Sequence, residues 1–459
     1  MRKRALLAEQ ETMTAYQIDW PAIRDEAVAI LRNYIRINTS NPPGNEMEAA
    51  RYLEGILVNE GIDTTVYEPA PRRANLMAIV RGKKAEKSVI LLNHMDVVPV
   101  EESGWTIDPF GGIIKDGYIY GRGAIDMKGK GVAELMAMLL LKRHHVPLKR
   151  DVIFLATADE EIGGRWGVKW MLEQEPRLKE AACVLNEGGC ILLRQNGEVD
   201  HYEIATAQKV VAQFALKAHG KTGHGSMPHK DSATVKLIRA LNRLVEWETP
   251  FMVIPLVKEY FANLAKVKPA QEATSYQDIE KALFDPAFAE AFTKNVQYNA
   301  MVRNTLTPTI LKSGQKVNVI PSVATAVFDC RILPGTSGET FFDQLREVID
   351  DDEIEISPLP DFESSSFPPS PTANELYQAI ELVARRKDPA CVVTPFLITG
   401  ATDSRFFREI GVPCYDFSPF RLGQDDLKLV HGHNERISIE NIGFATEVIF
   451  EIIRELAAE

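Results

Sequence analysis

The sequence predicts an α/β protein: a mostly parallel sheet forms one domain, and an inserted α+β segment forms a second. Three features of the chain point there. Apolar runs of strand length recur at residues 88–93, 152–156, 182–186 and 392–398, and each closes in polar residues. Between them lie helix-like stretches, notably 131–144, where Val132, Leu135, Met136, Leu139 and Leu140 recur at helical spacing. Strands alternating with helices favour a parallel sheet, whose ligands gather at the carboxyl ends of the strands. The middle of the chain departs from this pattern. Residues 210–219 and 324–333 look like strands separated by long helical material, and 249–309 shows little strand character. A turn-rich stretch with Pro358, Pro360, Ser364, Pro368 and Pro371 follows, after which helix and strand alternate again. The expected organisation is an outer domain in two parts, 1–206 and 362–459, around an insertion at 207–361.

Bulk properties fit that division. At 459 residues, with 45% hydrophobic and 25% charged, the chain is longer than one core usually organises. A formal net charge of -12 argues against a general nucleic-acid binder or a polybasic membrane surface, which leaves small molecules or peptides as partners. Five scattered cysteines, Cys183, Cys190, Cys330, Cys391 and Cys414, contain no Cys-x-x-Cys pair, so they are expected to be reduced and mostly buried. The basic start, Met1 to Arg4, leads into an apolar run at 5–8 that Glu9 cuts too short for a signal peptide. No segment has the roughly 20 apolar residues of a membrane span. A cytoplasmic enzyme is expected.

Histidines and carboxylates stand where the predicted strands end. His94-Met95-Asp96 closes the first run; if strand geometry persists, 94 and 96 share a face, and Asp96 accepts the second imidazole N–H of a ligating His94. A hydrogen-bonded structural histidine is the commoner outcome for His-x-Asp alone. Gly121 to Gly129 matches neither phosphate-loop spacing, whereas Asp126 inside it has an oxygen to offer each of two cations. Asp159-Glu160-Glu161 and Asn186-Glu187-Gly188-Gly189 follow two further strands. Acidic runs are usually solvated surface, but carboxylates converging on sheet ends that also carry His94 and Asp126 would repel without cations. His431 and His433 offer another imidazole before a helix starting near Ile439. Nitrogen and oxygen donors without thiolate suit zinc, with cobalt or manganese as substitutes. Three carboxylates and one hydroxide balance two dications, which leaves Glu160 as a general base.

In this order the motifs resemble the aminoacylase, dipeptidase and glutamate-carboxypeptidase family of two-zinc metallopeptidases (clan MH). The matching stretches run from Asn41-Pro42-Pro43-Gly44 to His431, almost the whole chain. The resemblance implies that Asp126 bridges two metals, that His94 and Glu187 complete one site, and that Glu161 and a C-terminal histidine complete the other; the family pattern selects His431 over His433. It implies a zinc-peptidase catalytic domain with an inserted lid and dimerisation domain, hence a homodimer. The lid motif Gly223-His224 implies an oxyanion-stabilising role for His224. Asn318 and Arg331 resemble substrate-carboxylate motifs, and Gly400 resembles a substrate-contacting loop. Arg331 suits the task because a guanidinium grips a carboxylate through two parallel hydrogen bonds; its alternative is a surface salt bridge. The implied reaction is cleavage of an amide bond in a peptide or N-acyl amino acid. Two competitors stand beside it: hydrolysis of a non-peptide amide or carbamoyl group on the same scaffold, and metal binding without turnover, which the presence of Glu160 and His224 disfavours.

Overall fold

In a computed structural model, residues 16–359 and 367–459 are described. The basic N-terminal run, Pro360 and Ser364 lie outside them. The chain forms two compact units. The first takes in the described residues up to Ile204 with Pro371–Val393 and Phe406–Glu459; the second takes in those of Ala205–Ser370 with Thr394–Arg405. The sequence placed 394–405 with the returning outer domain. It groups instead with the second unit because Phe396 and Leu397, from the strand Val393–Ile398, join that unit's aromatic cluster.

Four strands at the centre of the first unit's sheet run parallel, in the order Arg150–Thr157, Glu86–His94, Cys183–Leu193 and Cys414–Leu422. Arg73–Val80 and Asp63–Ala70 extend the Arg150 side antiparallel. The strand Glu86–His94 is buried from Val89 onward, as expected of a parallel strand covered on both faces. Helices Trp20–Arg36, Lys128–Arg143, Glu375–Lys387 and Ile439–Ala457 contribute to one large core cluster with the sheet. Lys128–Arg143 is more enclosed than an amphipathic stripe implies, with every residue from Lys128 to Leu141 buried. Its polar residues are internally paired. Lys128 donates through Nζ to the carbonyls of Ile37 at 2.7 Å and Tyr34 at 3.2 Å. Lys130 pairs with Glu134, which also accepts from Asn93 at 2.9 Å.

The second unit is built on an antiparallel sheet in the order Thr305–Ser313, Val323–Ile332, Phe214–His219 and Ile354–Pro358. Helices Ala233–Glu246 and Gly338–Ile349 share its core. The stretch read as lacking strands is helical over Pro255–Leu264 and through further short helices to Met301, gathered around Tyr260, Phe261, Tyr276 and Phe292. It then ends in the edge strand Thr305–Ser313, exposed from Thr307 onward and shifted in register after Pro308. None of the five cysteines is in a disulfide, and all are buried. Among the described residues no helix is long and apolar enough to cross a membrane.

Candidate metal centre

Three adjacent parallel strands deliver the first group of side chains to one end of the sheet. His94 is the last residue of its strand and pairs in register with Thr157. Beyond Thr157 the chain passes through Asp159, at a left-handed φ of 75°, into the single turn Glu160–Ile162. A non-glycine residue there costs on the order of 1–3 kcal/mol unless its surroundings fix it. Here the Asp159 carboxylate accepts from Arg73 Nη2 at 2.8 Å, from Asn41 Nδ2 at 3.3 Å and from the Trp166 N–H at 3.0 Å.

Glu187 is delivered differently from the sequence expectation. Its strand does not stop at 186 but runs on to Leu193, with a bulge: Asn186 pairs with Asp416, and the next pair is Gly189 with Phe417. The bulge takes Glu187 and Gly188 out of the ladder. Gly189 is required there because a Cβ would lie 2.1 Å from the Glu203 carbonyl oxygen. The remaining groups come from loops. Asp126 precedes the helix Lys128–Arg143, and His431 lies in the loop before the short strand Arg436–Ser438.

These loops and strand ends converge. His94 Nε2 lies 3.2 Å from Asp126 Oδ1 and 3.1 Å from Glu187 Oε1. His431 Nε2 lies 2.9 Å from Asp126 Oδ2 and 3.5 Å from Glu161 Oε2. The two oxygens of Asp126 therefore face two different imidazoles, each with its own glutamate. Ligand atoms of His94, Asp126 and Glu161, and again of His94, Glu160 and Glu187, lie within 4.8 Å of one another. Glu160 is thus close enough to act either on a metal or beside it.

The electrostatics require positive charge at this point. Burial, reinforced by the charge on Asp126, pushes Glu161 up to about 8 and also raises Glu187. Burial opposes ionisation of Asp126 too, yet hydrogen bonds from His431 and His94 hold its carboxyl far below the usual range. His431 is raised to about 9, chiefly by its bond to Asp126. His94 is raised in spite of burial, by Glu187, Asp126 and Asp96. The upward shifts of Glu161, Glu187, His431 and His94 all favour added positive charge or protons among these four groups; divalent cations would neutralise the carboxylates with the same donors deprotonated. Five nitrogen and oxygen donors, one of them a carboxylate presenting its two oxygens in two directions, fit a pair of divalent ions.

Asp96 supports the cluster, with one correction. The Nδ1 of His94 meets the Asp96 main-chain oxygen at 3.0 Å, while the carboxylate stands 3.6 Å away. The chain leaves strand geometry after His94, and the carboxylate turns to the N–H groups of Glu160 and Glu161, both at 3.2 Å, and to Asn41 Nδ2 at 2.8 Å. Asp96 thereby fixes the turn that carries both glutamates. His433 faces away, 3.7 Å from Glu101. Replacing His431 by Ala is therefore expected to remove one metal equivalent, whereas His433→Ala should retain both; elemental analysis of the two proteins reads the difference, and metal loss from His433→Ala would reverse the choice.

Residues that sequence reasoning missed lie beneath the site. Arg73 forms a two-pronged pair with Glu46, both contacts at 2.7 Å, and also holds Asp159. Burial pushes Glu46 up to about 7, with Asp96 adding to it and Arg73 opposing. Arg73→Met strands two buried carboxylates, so urea unfolding should show a loss of about 3–5 kcal/mol. A loss under ~1 kcal/mol would mean that the pair is dispensable. Nothing in the local sequence flags Arg73 or Glu46, because their partners are distant in the chain.

The other expected site residues belong to the second unit. His224 is exposed on a two-stranded ribbon, Gly223–His224 against Val319–Ile320, with Nδ1 held 2.7 Å from Ser226 Oγ. Asn318 adjoins it, its carbonyl accepting from the Gly225 N–H at 2.9 Å. Arg331 is partly exposed and bonds Asp329 through Nε at 3.0 Å, an ion pair of the kind weighed as its alternative. Gly400 lies in the partly exposed turn after the strand Val393–Ile398.

Comparison with known proteins decides the lineage. The model of peptidase family M20/M25/M40 matches residues 90–455. The chain belongs to this family. As a family member it is a hydrolase acting on amide or peptide bonds. It is 31% identical over 396 residues to the human N-fatty-acyl-amino acid synthase/hydrolase PM20D1, an alignment covering 84% of this chain and 78% of that protein. It is 27% identical over 421 residues to pig aminoacylase-1, covering 90% of each. Among solved structures, an M20 family metallo-carboxypeptidase from Sulfolobus solfataricus superposes with a TM-score of 0.71 at 19% identity, covering 94% of this chain and 99% of that one. That likeness fixes the α/β fold with its largely parallel central sheet.

Proposed function

We propose that this family member hydrolyses the amide bond of an N-acyl amino acid or short peptide with a free carboxylate. His94, Asp126 and Glu187 would hold one divalent ion, and Asp126, Glu161 and His431 a second, both zinc. The observation that carries the reading is the division of Asp126, with one oxygen toward each histidine. PM20D1 and aminoacylase-1, named for acyl-amino acid chemistry, support the substrate class. When bound, such a metal pair acidifies water and polarises a carbonyl. Glu160 then takes the proton of the attacking water and returns it to the departing amine nitrogen, which balances the reaction. His224 serves as oxyanion donor and Arg331 as carboxylate anchor, with Asn318 and the Gly400 backbone as further substrate contacts. Those four assignments rest on their motifs.

The deciding experiment loads the protein with zinc, cobalt or manganese and measures free amine released from N-acyl amino acids of short and long chain, from dipeptides, and from their carboxamide counterparts. Carboxylate substrates should turn over and carboxamides should not. Equal turnover of both would remove Arg331 from its role, and no turnover by the loaded protein would remove the function.

We further propose a homodimer in which His224 serves the site of the other copy. Inactive Glu160→Gln and His224→Ala chains, mixed under subunit exchange, should then recover part of the activity. No recovery despite demonstrated exchange would show that each site is self-contained.

A further inference from the structure

Arg122 and Glu435 form an ion pair at 2.7 Å, with side chains 3% and 0% exposed. Its hydrogen bonds reach both loops of the metal centre. Glu435 Oε1 accepts from the N–H groups of Ile125 at 2.7 Å and Asp126 at 3.1 Å, and its Oε2 from Gly123 at 3.0 Å. On the other side, Arg122 Nη2 donates to the carbonyls of His431 at 3.2 Å and Gly432 at 3.0 Å. The carboxylate thus grips the loop that ends in Asp126, while the guanidinium grips the loop that carries His431.

The His431 loop needs such a grip. His431 has a φ of 59° and Asn434 one of 56°, both left-handed for residues that carry a Cβ. Such backbone is uncommon for a residue with a Cβ and persists where its surroundings over-determine it. Asn434 is fixed through its side chain, which accepts from the Thr106 N–H at 2.9 Å. The carbonyl of His431 is fixed by Arg122.

We propose that Arg122 and Glu435 are positioning residues that lock the His431 loop to the Asp126 loop, so that Asp126 Oδ2 and His431 Nε2 are presented together to the second metal. The inference rests on the metal-pair reading above and adds to it the determinant of affinity on the His431 side. Partners of this kind behind a ligand set commonly change metal affinity by about 10–100-fold. Glu435→Gln is severe: it removes the charge opposite Arg122 and turns an N–H toward donors at Gly123 and Arg122. Arg122→Lys is milder, keeping the charge but lacking the fork that reaches Glu435 and two carbonyls at once.

The test is chelator-competition titration of zinc into metal-free wild type, Glu435→Gln, Arg122→Lys and His431→Ala, with circular dichroism to confirm folding. Wild type should show two sites. Both clamp variants should keep one near its wild-type affinity and weaken by about 10–100-fold the site that His431→Ala abolishes. If Glu435→Gln does not fold, Arg122→Lys decides alone. Two unchanged dissociation constants in folded Arg122→Lys overturn the clamp and leave the metal pair standing. Fewer than two sites in wild type overturn the metal-pair reading itself.

Discussion

Replacing Glu160 by Gln is expected to lower kcat by about 10²–10⁴-fold while the protein still binds two metals per chain. The substitution keeps the shape of the side chain and leaves the Glu160 N–H bonded to Asp96, so the turn should persist. What disappears is the ability to accept a proton from water and pass it to the amine. The loss corresponds to about 3–5 kcal/mol of barrier. Metal content is the sharper half of the measurement, because the Glu160 carboxylate lies within 4.8 Å of ligand atoms on His94 and Glu187. Loss of one equivalent in Glu160→Gln would make it a ligand and leave the proton transfer without an owner.

Asp126→Asn is expected to fail earlier, at metal uptake. The carboxylate offers Oδ1 toward His94 and Oδ2 toward His431, whereas an amide offers one acceptor oxygen and turns two N–H donors the other way. Neither ion should then be retained at stoichiometry, and activity should fall at least as far as in Glu160→Gln. Thermal melting gives an independent readout. A metal present at about 1,000 times its dissociation constant stabilises the folded state by about 4 kcal/mol, so added zinc should raise the melting temperature of wild type and not of Asp126→Asn. An undiminished rise in the variant would mean that the carboxylate does not bridge.

Much of the fold was legible because burial leaves a local trace. The run at 88–93 reads as a strand since both faces are covered, and the structure extends it by only a few residues, to Glu86–His94. The edge strand Thr305–Ser313 was not legible, because Pro308 and the shift of register beside it interrupt the run. The continuation of Cys183–Leu193 past Glu187 was hidden for another reason: Gly188 and Gly189 look like a strand end, yet Gly188 lies in a bulge and Gly189 resumes the ladder. The placement of 394–405 depended on where Phe396 and Leu397 find aromatic partners, which the stretch itself does not encode.

The sequence by itself determined which side chains stand at strand ends, since an apolar run and the polar residue that closes it are neighbours in the chain. His94, Glu160, Glu161 and Glu187 were accessible in that way, and Asp126 from the glycine-rich turn that leads into its helix. The tertiary structure alone decided how they are shared: which oxygen of Asp126 meets which imidazole, why His431 meets Asp126 while His433 meets Glu101, and why His94 leans on the carbonyl of Asp96. Those choices are set by contacts such as Arg122 with Glu435, 313 positions apart. Hydrogen-bond direction across such a separation follows from packing, and no local spacing records it.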